Sequence, residues 1–193
     1  MSLMSWNYQG LGNFRSVKTM KRAINKEKPA IVFLMETKSN REWMNNVKGK
    51  CNMKHGLIIP SEGRSTGLTL MWKEGIIVEV QKYSQSHIDA LVYGRADIGW
   101  WHFTGFCGNP NIAKRTESWA KLRHLKGTLA LLWLTIGDFN EITIISKKDG
   151  GYRETETIDE KLYWHHQLLL PTGFGVHWTK VYVDLPTSEW HVD

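Results

Sequence analysis

The sequence predicts an α/β chain in which helix and strand alternate at first and strands then cluster. Three observations carry this. Phe14, Val17, Met20, Lys21 and Ile24 recur at roughly helical spacing, just ahead of the unbroken apolar run Ala30 to Met35. An amphipathic helix followed by a strand buried on both faces accounts for that pattern. Short apolar segments then crowd between Leu57 and Cys107, divided by Gly- and Ser-rich turns. Finally, a helical pattern over Ala113 to Lys126 precedes the apolar run Leu129 to Ile136.

Taken in order, Met4 to Tyr8 reads as a short strand. The helix Phe14 to Lys26 has a basic outer face, and Pro29 stops it. Ala30 to Met35 is the buried strand, and Arg41 to Val47 a short helix. Leu57 to Pro60, Gly67 to Trp72, Ile76 to Gln81, Ile88 to Tyr93 and Gly99 to Cys107 read as strands. The helix Ala113 to Lys126 carries an apolar line of Trp119, Leu122 and Leu125. Leu129 to Ile136 is the next strand, and Thr157 to Leu169 reads as a helix.

Composition narrows the function. A chain of 193 residues with 41% hydrophobic content suffices for one domain with a substantial core and argues against disorder. Trp72, Trp119 and Trp133 lie in apolar runs and read as core rather than ligand platforms. The net charge of +6 suits a polyanionic partner, although many soluble proteins share such an excess. Cys51 and Cys107 lack metal-ligand spacing, which points to a reducing compartment. The apolar runs are far too short to span a bilayer, and the first residues do not form a signal peptide. The expectation is an intracellular, nuclear or cytoplasmic, monomeric protein with no membrane partner.

The chemistry is concentrated at strand ends. Ile136-Gly137-Asp138-Phe139-Asn140 places a carboxylate and a carboxamide two residues apart after a buried run, which puts both heads on one rim of a sheet. Chemistry on phosphate uses such a pair, the carboxylate for a water or metal and the amide for an anionic oxygen. The same residues are also turn formers. Asn7, Glu36 and Asn109 end or follow three other strands. Each has a plainer reading: Asn7 and Asn109 as turn residues, Glu36 as a surface group paired with Lys38.

Ser5-Trp6-Asn7 with Gly10-Leu11-Gly12-Asn13, Glu36-Thr37-Lys38, Gly67 to Trp72, Thr104-Gly105-Phe106 with Gly108-Asn109-Pro110, Arg115 with Ser118-Trp119, and Gly137 to Glu141 occur in that order. From about Met4 to about Gly151 the chain thereby resembles the endonuclease/exonuclease/phosphatase (DNase I-like) superfamily. The nearer resemblance is to the N-terminal endonuclease domain of plant LINE-type non-LTR retrotransposons. The resemblance implies a four-layer fold, a two-sheet β-sandwich flanked by helices, and Mg²⁺- or Mn²⁺-dependent hydrolysis of a DNA phosphodiester that nicks the strand. It implies that Glu36 binds the metal with Asn7 in support, that Asp138 orients or deprotonates water, and that Asn140 and Asn109 contact phosphate. Lys114 and Arg115 would meet the nucleic-acid backbone, or equally be solvated surface charge. His87 is assigned no role. His165 and His166, adjacent on the expected helix, do not form a zinc pair, and Lys147 to Gly151 reads as a loop.

Two departures matter. The family carries Tyr where this chain has Cys107, and a thiol is a poor substitute for a phenol as a hydrogen-bond donor. The family's Ser-Asp-His motif on a last strand is absent from the sequence. After Gly151 the match weakens: Phe174 to Thr179 and Val181 to Trp190 echo later segments with altered order, and His177, His191 and Asp193 do not restore the pair. The resulting expectation is a single domain over 1–193 with 152–193 divergent, C-terminally truncated or degenerate, with a sheet edge exposed and little or no activity. A non-catalytic nucleic-acid-binding remnant and a phosphatase acting on a small phosphoester remain as alternatives.

Overall fold

Strand β2 (Ile31–Met35) is buried along its whole length. Successive side chains point to opposite faces, so Ile31, Phe33 and Met35 enter one apolar cluster while Val32 and Leu34 enter another. This single strand therefore divides the layers. The computed structural model describes residues 1–7, 14–62, 67–94, 99–126 and 131–140, together with the backbone of two strands near the C-terminus.

β2 belongs to a four-stranded sheet in the order β1-β2-β4-β3, with β1 Leu3–Asn7, β3 His55–Ile59 and β4 Leu68–Trp72. β1 runs parallel to β2; the other pairs are antiparallel. Helices α1 (Phe14–Glu27) and α2 (Arg41–Lys50) cover its outer face through Val17, Met20, Ile24, Met44 and Val47. Asn40 starts α2 by accepting the Trp43 N–H at 2.8 Å. Cys51 lies buried beneath it, and that burial, opposed by Lys21, pushes the thiol up to about 11, which makes it inert.

The second sheet has the order β5-β6-β7-β8-β10-β9, with β5 Ile77–Ser84, β6 His87–Tyr93, β7 Trp100–Cys107, β8 Trp133–Asp138, β9 Tyr163–Trp164 and β10 Lys180–Asp184. β7 and β8 are parallel, connected through a short 3-10 turn Ile112–Lys114 and helix α3 (Arg115–Lys126). α3 packs on the outer face through Leu122 against Phe106, Trp133 and Phe139. The inner faces of both sheets share one core, in which Phe33, Leu70, Ala90, Phe103 and Ile136 meet. The order helix, sheet, sheet, helix is the two-sheet sandwich expected. Trp133 is core; Trp72 and Trp119 are half-buried at its margin. Among the described residues, no helix is long and apolar enough to cross a membrane.

Three expectations need correction. The segment read as a helix, Thr157 to Leu169, contains strand β9 at Tyr163–Trp164; its apolar spacing fits either period, and pairing with β10 decides. The exposed edge expected beside β8 is covered, because β10 pairs antiparallel with β8 from Lys180 opposite Gly137 to Asp184 opposite Trp133. The strand read as Leu57 to Pro60 ends at Ile59, since proline has no N–H for a ladder. Lys147 to Gly151, His165, His166 and Phe174 to Thr179 lie outside the described residues. The outer strand β5 slips register between Val80 and Lys82 and exposes Glu79 and Lys82, which blunts that edge.

The sheets touch where Phe33 lies over Gly105; a Cβ on Gly105 would collide with the Phe33 ring. Gly105→Ala is expected to destabilise the fold by about 1–3 kcal/mol through overpacking. Adding Phe33→Leu should recover part of that loss, because the two changes share one space. Urea denaturation of both variants and the pair checks this; simple additivity would show that the contact does not set the spacing.

Candidate active site

β1 ends at Asn7, opposite Met35 of the parallel β2, and β8 ends at Asp138, opposite Cys107 of the parallel β7. Leu3 and Ile136 face the core between the sheets. Counting in twos along each strand, Asn7 and Asp138 face the same gap at its rim. The strand ends of both sheets thus open on one place.

One carboxamide joins them. Asn7 Nδ2 donates to Glu36 Oε1 at 3.2 Å and to Asp138 Oδ2 at 3.2 Å. Carboxylates only accept, which fixes the NH₂ toward them. Asn7 Oδ1 is left buried without a partner. Glu36 follows β2 with φ +53°, a left-handed backbone that a non-glycine residue adopts at a penalty.

The Asp138 turn is equally constrained. Asp138 Oδ1 accepts the Asn140 N–H at 2.9 Å, and Asn140 Nδ2 donates to Gly108 O at 2.8 Å. Gly108 N–H in turn donates to Asp138 O at 2.7 Å. A Cβ on Gly108 would strike the Phe139 backbone, and one on Gly137 would strike the Phe106 backbone. Between the two polar residues, Phe139 is buried and stacks on Phe106 and Trp119. The ring pins the turn so that Asp138 and Asn140 stand on either side of it.

A cleft of about 400 Å³ adjoins this rim, and Glu36, Cys107, Asn109, Lys114 and Asn140 line it. Asn109 sits on it, but its Oδ1 accepts the Asn111 N–H at 2.9 Å and its own N–H donates to Ser118 Oγ at 3.1 Å. Its side-chain oxygen therefore builds the turn, and its NH₂ is the group left to donate. Lys114 is exposed on the cleft. Arg115 is half-buried, starts α3, keeps its Nε unpartnered and is not part of the cleft wall.

Sequence reasoning missed a second polar cluster on this cleft. Lys121 of α3 sends Nζ to Ser84 Oγ at 3.2 Å and to Ser86 Oγ at 3.0 Å. Ser84 Oγ also lies 2.7 Å from His87 Nδ1. His87 is buried, and desolvation followed by the Lys121 charge pushes its imidazole down to about 4, so it is neutral and hydrogen-bonded to Ser84. Below it, the buried Asp89 Oδ1 binds His102 Nε2 and Thr104 Oγ1, each at 2.7 Å, and Trp133 Nε1 donates to Thr104 at 2.9 Å. That network braces the sheet rather than the cleft.

A divalent cation fits the rim. Two carboxylates and an unpaired amide oxygen make a hard-oxygen set, which suits Mg²⁺ or Mn²⁺ with retained waters. Among the described residues no group of three or more His, Cys, Asp or Glu forms a metal cluster.

Two sheets packed face to face, helices on both outer faces and a polar rim at the ends of parallel strands define the DNase I-like fold. Solved structures agree. A humanized D. rerio TDP2 superposes with a TM-score of 0.65 at 12% identity, covering 98% of this chain and 85% of that one. D. rerio TDP2 complexed with a single-strand DNA product gives 0.61 at 11%, covering 99% and 86%. The endonuclease domain of TRAS1, a telomere-specific non-LTR retrotransposon, gives 0.63 at 12%, covering 99% and 89%. No family model matches the sequence, and no curated protein does.

Glu36→Ala and Glu36→Gly both remove the carboxylate, yet only Ala keeps the left-handed penalty. The glycine variant is expected to be the more stable by about 1 kcal/mol; thermal unfolding compares them, and equal stability would mean that residue 36 is unstrained. His87 gives a pH signature. Below its ordinary value of 6.5 the unfolded chain takes up a proton that the folded chain refuses until about 4. Stability should therefore fall as pH drops through this window and level off above it. His87→Asn should flatten the slope in urea titrations; an unchanged slope would remove His87 as the source.

Proposed function

We propose that this chain is built as a metal-dependent phosphodiester hydrolase acting on DNA, of the type found as the endonuclease domain of plant-like LINE retrotransposons, and that it turns over slowly. The observation that carries the reading is the Asn7 amide, which holds one carboxylate from each sheet and presents a bare oxygen beside them. The fold shared with TDP2 and the TRAS1 endonuclease domain supports the same class. A monomer working inside the cell, in nucleus or cytoplasm, accords with it.

Glu36 and Asn7 Oδ1 would hold the cation. When bound, a divalent ion neutralises charge building on the phosphoryl oxygens. Asp138, fixed by Asn7 and by the Asn140 N–H, would orient the attacking water. The NH₂ groups of Asn140 and Asn109 would face the phosphate, and Lys114 and Arg115 the backbone.

Slow turnover is inferred from what surrounds the rim. Cys107 stands where the related enzymes are expected to carry a phenol. Among the described residues, the two buried histidines are committed elsewhere, His87 to Ser84 and His102 to Asp89. A rim served by no imidazole, as among the described residues, would lack on the order of several kcal/mol of transition-state stabilisation.

Calorimetric titration with Mg²⁺ should show Glu36→Gln weakening binding more than Asp138→Asn; equal losses would undo this division of roles. Plasmid relaxation with Mg²⁺ should proceed at or near background. Robust nicking that Glu36→Ala leaves untouched would sink the metal site, and robust nicking that it abolishes would sink the slow turnover.

A further inference from the structure

We propose that Lys121 with Ser86 forms a second phosphate-binding position on the cleft wall, taking a backbone phosphate of a DNA strand next to the one held at the Asn7, Glu36 and Asp138 rim. This rests on the nuclease reading above.

Lys121 is half-buried, and its Nζ contacts are the hydroxyls of Ser84 and Ser86. Among the described residues no carboxylate pairs with it. An ammonium drawn out of water and met only by neutral hydroxyls keeps an unbalanced charge. The donors then fall into order. Ser84 Oγ accepts from Lys121 and from the Ser86 N–H at 3.2 Å and is also hydrogen-bonded to His87 Nδ1 and to Ser86 Oγ, so its bonding is used within the cluster. One of the three N–H donors of Lys121 is therefore surplus, and the Ser86 hydroxyl, 3.1 Å from Ser84 Oγ, stands beside it on the wall. Both residues line the same cleft as Glu36 and Asn140.

The position is held rigidly. Ser86 O accepts the Cys107 N–H at 2.8 Å, so the β5 to β6 turn is tied to the strand that lies beside Asp138. Lys114 lies on the same wall two helical turns earlier, which extends the positive side along a strand-like path. Glu117 also lies on this wall, exposed and paired with neither lysine. Ammonium and hydroxyl donors beside the proposed cutting site match a phosphodiester backbone, which repeats its charge along the wall.

The test is fluorescence anisotropy with a short labelled single-stranded oligonucleotide, in EDTA to prevent cutting, across a salt series. Lys121→Met should weaken binding several-fold and lower the slope of log affinity against log salt by about 0.7, the loss of one phosphate contact. Lys121→Gln, which keeps the serine contacts without the charge, should do the same, while Lys121→Arg retains both affinity and slope. Ser86→Ala should weaken binding with the slope unchanged. If the parent chain binds but Lys121→Met and Lys121→Gln match it in affinity and slope, this position is wrong and the nuclease reading stands. If the parent chain shows no salt-dependent binding, both fall.

Discussion

The spacing of the two sheets is set where the Phe33 ring occupies the room left by Gly105. A side chain at 105 would push the layers apart, and the rim would open with them. At the present spacing one carboxamide, with two N–H groups on a single nitrogen, reaches Glu36 after β2 and Asp138 at the end of β8. Nothing longer than Asn is needed, and a shorter side chain would not span the gap. The chemistry at the rim is thus a consequence of core packing several residues away along each strand.

A second constraint acts within one sheet. The turns after β7 and β8 lie backbone to backbone, and Gly108 and Gly137 have no room for a Cβ. Their mutual hydrogen bonds through Gly108, Asp138 and Asn140 leave each turn positioned by the other. Phe139 adds an apolar anchor under α3, so the polar residues on either side cannot retract into the core. Preorganisation of this sort is what charge stabilisation at a phosphate requires, because donors already in place need no rearrangement.

Much of this was legible in the residues. A buried run that stops at a polar group, as at Met35-Glu36 or Ile136-Gly137-Asp138, marks both a strand and the rim where it ends. The parity that aims Asn7 and Asp138 into one gap follows from the strand period alone. The bonding between them did not follow, since it joins residues far apart in sequence and depends on sheet spacing. Lys121, Ser84 and Ser86 were invisible for the same reason: a helix and a hairpin turn meet only in the fold. Tyr163–Trp164 was misread because a short amphipathic stretch fits two periods until its partner strand is known. Asn109 shows the reverse case, in which an ordinary turn chemistry and a cleft position coexist in one side chain.

Glu36 and Asn140 both sit on left-handed backbone, at φ +53° and +51°. Glycine fits such conformations without a Cβ penalty. Selection for folding alone would pull both positions toward glycine, whereas selection for the rim would hold an acid at one and an amide at the other. The two residues therefore act as a record of which pressure has prevailed along a lineage. Under the proposed function, copies of this chain released from the demands of the rim should lose them before they lose Phe33 or Gly105, which set the spacing of the sheets.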